Sequence, residues 1–128
     1  MKIDFNYDSI NVQADLIDNI CVFCDKSGTG KTFLFSILEC YFEYEDIKYC
    51  SFNYLNYRVL ENYDFSGAEV VILDNADLYM SEELFNRLEK SNKLVVMSIR
   101  SIGMLEMKNM GFYKICYKDD KIRAVRFA

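Results

Sequence analysis

Hydrophobic and polar positions alternate near both ends of the chain and give way to continuous apolar runs in the middle. The alternation in KIDFNYD (2–8) and INVQADL (10–16) predicts two short strands that pair before the main sheet. The apolar run in NICVFCD (19–25) predicts a strand buried on both faces, as in the middle of a parallel sheet. FYKICYK and KIRAVRF, joined by two aspartates within 112–127, predict a terminal hairpin.

Helical patterns lie between these strands. Residues 31–44 are apolar on nearly every side, which predicts a packed helix. Ser81, followed by Glu82 and Glu83, predicts the start of another helix, because a side-chain acceptor caps the first turn and acids suit its positive end. Further apolar runs predict strands at 47–52, 69–74 and 93–99.

Two weaker patterns complete the order of elements. We expect a helix around 55–62 and a short Met-rich helix that Ser101 caps and Gly111 ends. Strands that alternate with helices predict an α/β fold with a mostly parallel central sheet. An N-terminal strand pair and a C-terminal β-hairpin accompany that sheet.

The length and composition of the chain favour one domain. At 128 residues with 52% hydrophobic content, residues 1–128 are predicted to form a single domain with its own core. The sequence contains neither an uninterrupted apolar stretch of spanning length nor a targeting pattern near its N-terminus. We therefore expect a cytoplasmic protein with no membrane partner.

The five cysteines are odd in number and lie among apolar residues. We interpret them as reduced thiols of the core. The alternative is a metal or redox role for Cys21 and Cys24, which form a C-x-x-C without a second pair and without any histidine in the chain.

Charge is distributed unevenly along the chain, whose formal net charge is −5. Residues 1–92 hold 7 Lys/Arg against 17 Asp/Glu, whereas residues 93–128 hold 8 against 3. A net acidic chain is not typical of a general nucleic-acid binder. The basic C-terminal third is nevertheless a candidate anion-facing surface, with an ordinary solvated face as the alternative.

A glycine-containing stretch, DKSGTGKT (25–32), joins a predicted strand to a predicted helix. Gly28 and Gly30 let the backbone curl so that successive N–H groups point into one concavity at the positive end of the helix. Lys31 adds a positive charge, and the Thr32 hydroxyl is a suitable ligand for Mg²⁺. The pattern predicts a phosphate-binding loop, and the alternative is a strand-to-helix turn that binds nothing.

This stretch resembles the first motif (Walker A) of the P-loop NTPases, G-x-x-x-x-G-K-[ST]. Seven of its eight positions are compatible, and Asp25 replaces the first glycine. The resemblance implies a three-layer P-loop NTPase fold with ATP and Mg²⁺ as ligands. A carboxylate at position 25 weakens polyphosphate binding if it points inward. The residues that the resemblance assigns to the nucleotide are Ser27, Gly28, Thr29, Gly30, Lys31, Thr32 and Phe33.

The stretch VVILDNAD (70–77) is similar to the second motif (Walker B), a run of aliphatic residues that ends in aspartate. The resemblance assigns Asp74, together with Thr32, to Mg²⁺. In the additional-strand, AAA+-like branch, a glutamate usually follows and polarises the attacking water. Here Asn75 follows, and an amide orients a water but cannot accept its proton. Asp77 is the candidate substitute, with a loop acid or a helix start as the alternative; the predicted catalytic residues are thus Lys31, Asp74, Asn75 and Asp77.

The stretch KLVVMSIRS (93–101) resembles the strand that carries a polar sensor near the γ-phosphate in the same branch. Ser98 matches the sensor position, and Arg100 is a candidate for contacting a phosphate or a partner. The alternative is a serine at a strand end and an arginine on the surface. Only a helix and a hairpin follow, so the resemblance implies a minimal core without a helical lid.

Two functions agree with these residues. One is a Mg²⁺-dependent ATPase, weak or stimulated by a partner or a neighbouring subunit of a homo-oligomer. The other is a nucleotide-gated module that binds ATP without hydrolysing it and presents a surface to protein, through the aromatic segment 52–65, or to nucleic acid. A small-molecule kinase is less favoured because no substrate lid is evident, and GTP because the N-K-x-D motif is absent. The basic residues expected to meet a nucleic acid are Lys114, Lys118, Lys121, Arg123 and Arg126.

Overall fold

The computed structural model describes residues 1–24, 30–100 and 110–128. Its strands are β1 Lys2–Tyr7, β2 Ile10–Asp15, β3 Ile20–Cys24, β4 Tyr49–Phe52, β5 Val70–Leu73, β6 Leu94–Ile99, β7 Met110–Lys118 and β8 Lys121–Arg126. Its α-helices are α1 Lys31–Tyr44 and α2 Glu82–Ser91, and its 3₁₀ helices are Tyr57–Asn62, Phe65–Gly67 and Ala76–Leu78. Within these ranges the strands form one mixed sheet in the order β1-β2-β8-β7-β3-β6-β5-β4.

The centre of the sheet is parallel. β3 pairs in parallel with β6 and β7, and β5 pairs in parallel with β4 and β6. β6 therefore lies between β3 and β5, where the sequence resemblance implies an additional strand. The carboxyl ends of these parallel strands meet at one edge of the sheet, which is where open α/β sheets bind their ligands.

Two antiparallel pairs extend the sheet beyond β3. β1 pairs with β2, and β7 pairs with β8 across a turn in which Asp119 and Asp120 both have left-handed φ angles, of 51° and 59°. Aspartate tolerates this region better than most residues, which suits it to a tight hairpin turn. β8 also pairs in parallel with β2. The predicted α/β class, strand pair and terminal hairpin are confirmed.

Helices cover both faces of the sheet. The apolar side chains of α1 pack on one face, together with residues such as Phe23, Val96 and Tyr113. α2 and the 3₁₀ helices cover the other face, where Leu84 and Leu88 lie in the second cluster. Burying one large apolar side chain stabilises the folded state by roughly 1.5–3 kcal/mol relative to leaving it exposed. Packing therefore holds the helices on the sheet. Among the described helices, none is long and apolar enough to cross a membrane.

Two predicted helices differ from the structure. The segment around 55–62 forms the 3₁₀ helix Tyr57–Asn62 rather than an α-helix. Gly111 lies inside β7, so the prediction that it ends a helix is wrong; residues 101–109 of that predicted helix lie outside the described residues. Gly111 is required for a different reason: a side chain there would collide with the carboxylate of Asp18.

The five cysteines remain thiols and differ in exposure. Cys21 and Cys50 are buried, as predicted for core thiols, and burial raises the pKa of Cys21 to about 11. Cys116 is exposed, so the prediction is wrong for this residue. Its apolar neighbours in sequence point to the covered face of β7, whereas Cys116 alternates to the open one.

Candidate functional site

Three predicted motifs meet at the carboxyl edge of the sheet. The β5–β6 register aligns Leu73 with Met97, so that Asp74 and Ser98 follow side by side. The β3–β6 register aligns Phe23 with Ser98, which places the end of β3 next to them. Strand pairing therefore assembles residues that lie far apart in sequence.

The carboxylate of Asp74 is held from two sides. The Thr32 hydroxyl donates a hydrogen bond to Asp74 Oδ2 at 2.9 Å, and the Ser98 hydroxyl donates to Asp74 Oδ1 at 2.6 Å. Ser98 is fully buried, whereas Thr32 is exposed at the start of α1. Each carboxylate oxygen thus has its own hydroxyl partner, and only the Thr32 side opens to solvent.

Asn75 follows Asp74 in a left-handed conformation, with φ 52° and ψ 45°. Its backbone N–H donates to Ser98 Oγ at 2.8 Å, so the buried hydroxyl contacts both residues at the end of β5. Asparagine and aspartate tolerate this backbone region, whereas glutamate does so poorly. The backbone therefore gives a physical reason for an asparagine at position 75.

Tyr79 is a site residue that the sequence interpretation missed. Its hydroxyl donates to the Asp74 carbonyl at 2.8 Å and lies 3.3 Å from the Phe52 carbonyl, which ties the ends of β5 and β4 together. Its ring stacks on Tyr57, with centroids 5.2 Å apart and planes 7° from parallel. Burial raises the pKa of Tyr79 well above its usual value, so the hydroxyl keeps its proton at neutral pH.

The first turn of α1 is suited to an anion. Gly30 precedes it with φ 92° and ψ 17°, a conformation that strains other residues, and no described atom lies within 4 Å of where a Cβ would be. The first turn, which the structure describes in full, carries no acidic side chain, so the positive end of the helix dipole is not neutralised there. Lys31 is buried and Phe33 is exposed. Of the predicted loop residues, Ser27, Gly28 and Thr29 lie outside the described residues.

Asp77 and Arg100 contact each other. Arg100 Nε lies 3.0 Å from Asp77 Oδ2, with the arginine side chain half exposed and the aspartate 13% exposed. Within the described residues, Asp77 Oδ1 is buried and has no hydrogen-bond partner. The ion pair therefore uses one oxygen of Asp77 and leaves the other one available to a donor.

The residues predicted to meet a partner lie in different environments. Within the aromatic segment 52–65, Phe52 and Phe65 are core residues, whereas Tyr54 and Leu55 are exposed. In the basic C-terminal third, Arg126 forms an ion pair with Asp18 at 2.9 Å. The other basic residues of the predicted nucleic-acid surface are exposed on β7 and β8; they are Lys114, Lys118, Lys121 and Arg123.

The donor set fits a magnesium nucleotide. A hydroxyl and a carboxylate, 2.9 Å apart, offer the hard oxygen ligands that Mg²⁺ prefers. The site lies beside the N-terminus of α1, where Lys31 and the helix dipole favour phosphate oxygens. These residues therefore present anion-binding and cation-binding groups at one edge of the sheet.

Comparisons with known proteins agree at the level of fold. No protein-family model and no curated protein matches the chain. Among solved structures, it is similar to AMPPCP-bound DnaA from Aquifex aeolicus, with a TM-score of 0.51 and 13% identity; the match covers 66% of this chain and 33% of that one. The chain thus corresponds to a third of the length of the structure it matches. At this identity the likeness shows a shared fold.

Proposed function

We propose that the chain is a P-loop NTPase of the AAA+-like branch that binds ATP with Mg²⁺ and hydrolyses it slowly. The observation that carries the proposal is the hydrogen bond from Thr32 to Asp74, because it joins the hydroxyl of the loop motif to the carboxylate of the strand motif. The DnaA structure with a bound ATP analogue supports the same interpretation.

Each residue has a distinct role in this proposal. Lys31 and the amides at the start of α1 bind and neutralise the phosphates. Thr32 and Asp74 would hold Mg²⁺, which supplies Lewis-acid neutralisation of phosphate charge when bound. Ser98 orients Asp74 through the bond at 2.6 Å. The loop residues Ser27, Gly28 and Thr29 complete the phosphate contacts, and Phe33 lies exposed one position after Thr32.

Hydrolysis is expected to be slow because the water-activating position is occupied by an amide. Asn75 orients a water but cannot take its proton, and the nearby carboxylate of Asp77 is engaged by Arg100. In this proposal a partner or a neighbouring subunit accelerates turnover by drawing Arg100 away from Asp77. Arg100 then becomes available to a phosphate, and Asp77 to the water.

The amide at position 75 and the ion pair between Asp77 and Arg100 also favour a second function. If neither Asn75 nor Asp77 activates water, the chain is a nucleotide-gated module whose occupancy, not turnover, presents a surface to a partner. Both functions require the same ATP site. They differ in whether phosphate is released.

ATP binding and phosphate release by the purified protein test the proposal. A fluorescent ATP analogue is titrated with and without Mg²⁺ into the wild type, Lys31→Ala, Asp74→Asn and the control Lys90→Ala, which removes an exposed lysine from α2. We expect Lys31→Ala to abolish binding, Asp74→Asn to remove its Mg²⁺ dependence, and Lys90→Ala to bind as the wild type does. Circular dichroism of each variant separates loss of the site from loss of the fold. Unchanged binding by folded Lys31→Ala would contradict the proposal.

Single-turnover phosphate release distinguishes the two functions. The wild type is compared with Asn75→Asp and Asn75→Glu, which place a carboxylate at the water position. Slow release that either variant accelerates supports the slow ATPase with a blunted catalytic position. ATP binding without release in the wild type and both variants supports the gated module.

A further inference from the structure

The open face of the C-terminal hairpin carries regularly spaced cations. Side chains at alternate positions of a strand share one face, so Lys114, Cys116 and Lys118 of β7 point to the same side. The register pairs Cys116 with Arg123 and Lys118 with Lys121, which brings both residues of β8 to that side. We call Lys114, Lys118, Lys121 and Arg123 the basic face; all four residues are exposed.

The opposite side of the same hairpin is the packed one. Tyr113 and Ile122 are buried in the cluster beneath α1, and Ile115 and Ala124 are partly buried against it. The apolar layer on the open side stops at Phe112, which contacts Phe127 with ring centroids 6.3 Å apart. Beyond this contact, the apolar residue beside the basic face among the described residues is Val125, which pairs with Lys114.

Polar amides continue the basic face onto the next strand. Asn11 of β2 pairs with Lys121, and Gln13 pairs with Arg123. Cations and amides therefore form two rows across three strands. The Nδ2 of Asn11 already donates to Asp4 and Asn6, so Gln13 is the amide that adds a neutral donor for phosphate oxygens or sugar hydroxyls to the charge of the cations.

Repulsion between Lys118 and Lys121 lowers the stability of the hairpin when no anion is bound. These two residues lie directly opposite each other in the antiparallel hairpin. Like charges at opposite cross-strand positions repel and weaken the pairing. A bound polyanion reverses that effect, because it places negative charge between the two ammonium groups.

We propose that the basic face binds a nucleic-acid strand through its phosphates, without preference for base sequence. The face is extended and charged: Lys121 and Arg123 are spaced by about 6.7 Å along β8, as expected for every second residue, and Lys114 and Lys118 by about twice that distance along β7. Among the described residues, the exposed aromatic side chain on this side of the hairpin is Phe127, which lies at the far end against Phe112, so the binding is mainly electrostatic. Aspartates at the hairpin turn, on β1 and on β2 limit the footprint; they are Asp119, Asp120, Asp4 and Asp15.

Other anionic partners fit the basic face less well. A membrane surface is bound by cations together with apolar side chains that insert, whereas Val125, 38% exposed, is the apolar residue on this side of β8. A protein interface has an apolar core with anchoring aromatic residues. The basic face instead presents four exposed cations, with Cys116 and Val125 among them.

Fluorescence anisotropy with a labelled 20-nucleotide single strand tests the proposal, and a duplex of the same length serves for comparison. Wild type is compared with Lys118→Glu/Arg123→Glu and with the control Lys48→Glu/Lys90→Glu, which reverses two exposed lysines elsewhere. We expect the first pair to weaken binding about tenfold or more at low salt, and the control by about twofold or less. Neutralising four phosphates on a single strand gives a slope of log affinity against log salt of about −3. Lys118→Glu/Arg123→Glu should reduce this slope to about half.

Cys116 provides a footprint of the bound strand, because it lies exposed between the cations of the basic face. Oligonucleotide is expected to slow maleimide modification of Cys116, with Cys116→Ser defining the background from the other thiols. Lys31→Ala should keep both the affinity for the oligonucleotide and the protection of Cys116. The proposal therefore remains testable even if the chain does not bind ATP. Equal weakening by the two charge reversals, an unprotected Cys116, or tighter binding to phosphatidylserine vesicles than to oligonucleotide would each overturn the proposal.

Discussion

Ser98 Oγ lies 2.6 Å from Asp74 Oδ1 and accepts the Asn75 N–H at 2.8 Å. A single buried hydroxyl therefore fixes both the orientation of the carboxylate and the backbone that follows it. Because Oδ1 is engaged in this way, Oδ2 faces Thr32. Three strand ends and the start of α1 hold the side chains of the site in position.

Ser98→Ala should destabilise the protein and misorient Asp74. The change leaves the Asn75 N–H without its partner and removes a charge-assisted bond, so we expect the free energy of unfolding to fall by about 1–3 kcal/mol. Urea denaturation measures this change. The control is Ser36→Ala, which removes an exposed hydroxyl bonded to a carbonyl of α1. Equal losses in the two variants would show that Ser98 has no special structural role.

Thr32→Val should separate ATP binding from its Mg²⁺ dependence. Valine keeps the shape of threonine without the hydroxyl, whereas Thr32→Ser keeps the hydroxyl. We expect Thr32→Val to lose about tenfold in affinity for Mg²⁺–ATP, as for one charge-assisted contact of about 1.4 kcal/mol, and to change little without Mg²⁺. Calorimetric titration of both variants tests this, and a Thr32→Ser protein as weak as Thr32→Val would argue against the hydroxyl as a ligand.

The stability of Asn75 variants should depend on how well each new residue tolerates a left-handed backbone. With φ at 52°, Asn75→Ala and Asn75→Glu are expected to lose about 1 kcal/mol of stability, and Asn75→Gly and Asn75→Asp less. Thermal unfolding of the four proteins measures the order. Asn92 at the end of α2 also has a left-handed φ, of 56°, and Asn92→Ala serves as the matched control outside the site. If Asn75→Ala matched Asn75→Gly, the left-handed strain would be absent.

Asp18 should make the free energy of unfolding depend on pH in acidic solution. Hydrogen bonds from Arg126 and Tyr113 hold the pKa of Asp18 below its usual value, despite partial burial. A carboxyl whose folded pKa is lowered contributes stability above its unfolded pKa, about 3.9, and loses it as the pH falls through the folded pKa. The stability difference between wild type and Asp18→Asn is therefore expected to shrink from pH 5 towards pH 2.5. Asp15→Asn, at an exposed position of β2, is the control, and parallel curves for wild type and Asp18→Asn would contradict the expectation.

Much of the site could be predicted from sequence because its residues end apolar runs. Val70 to Leu73 are entirely buried, and a polar residue directly after such a strand falls at the carboxyl edge of the sheet. Ser98, in contrast, lies inside β6, and the sequence indicated it only through the resemblance to the sensor strand. The strand order, with β6 between β3 and β5, is a long-range property that the apolar pattern does not contain.

The missed features have partners that leave no local pattern. Tyr79 donates to a backbone carbonyl, which every residue possesses, so the local sequence gives no sign of this contact. Asp18 pairs with Arg126, 108 positions away, and glycine at 111 is explained only by that carboxylate lying over it. The 3₁₀ form of Tyr57–Asn62 likewise reflects packing of Leu60 into the core rather than helical propensity.

The parallel contact of β2 with β8 has a consequence for biosynthesis. Asn11 and Lys121 are paired although about 110 residues separate them, and β1 joins the sheet only through β2. As the ribosome delivers the chain from the N-terminus, the first hairpin has no place in the sheet until β8 emerges. The N-terminal strands therefore keep an unpaired edge until about 110 further residues have been synthesised, and their docking is a slow event of high contact order.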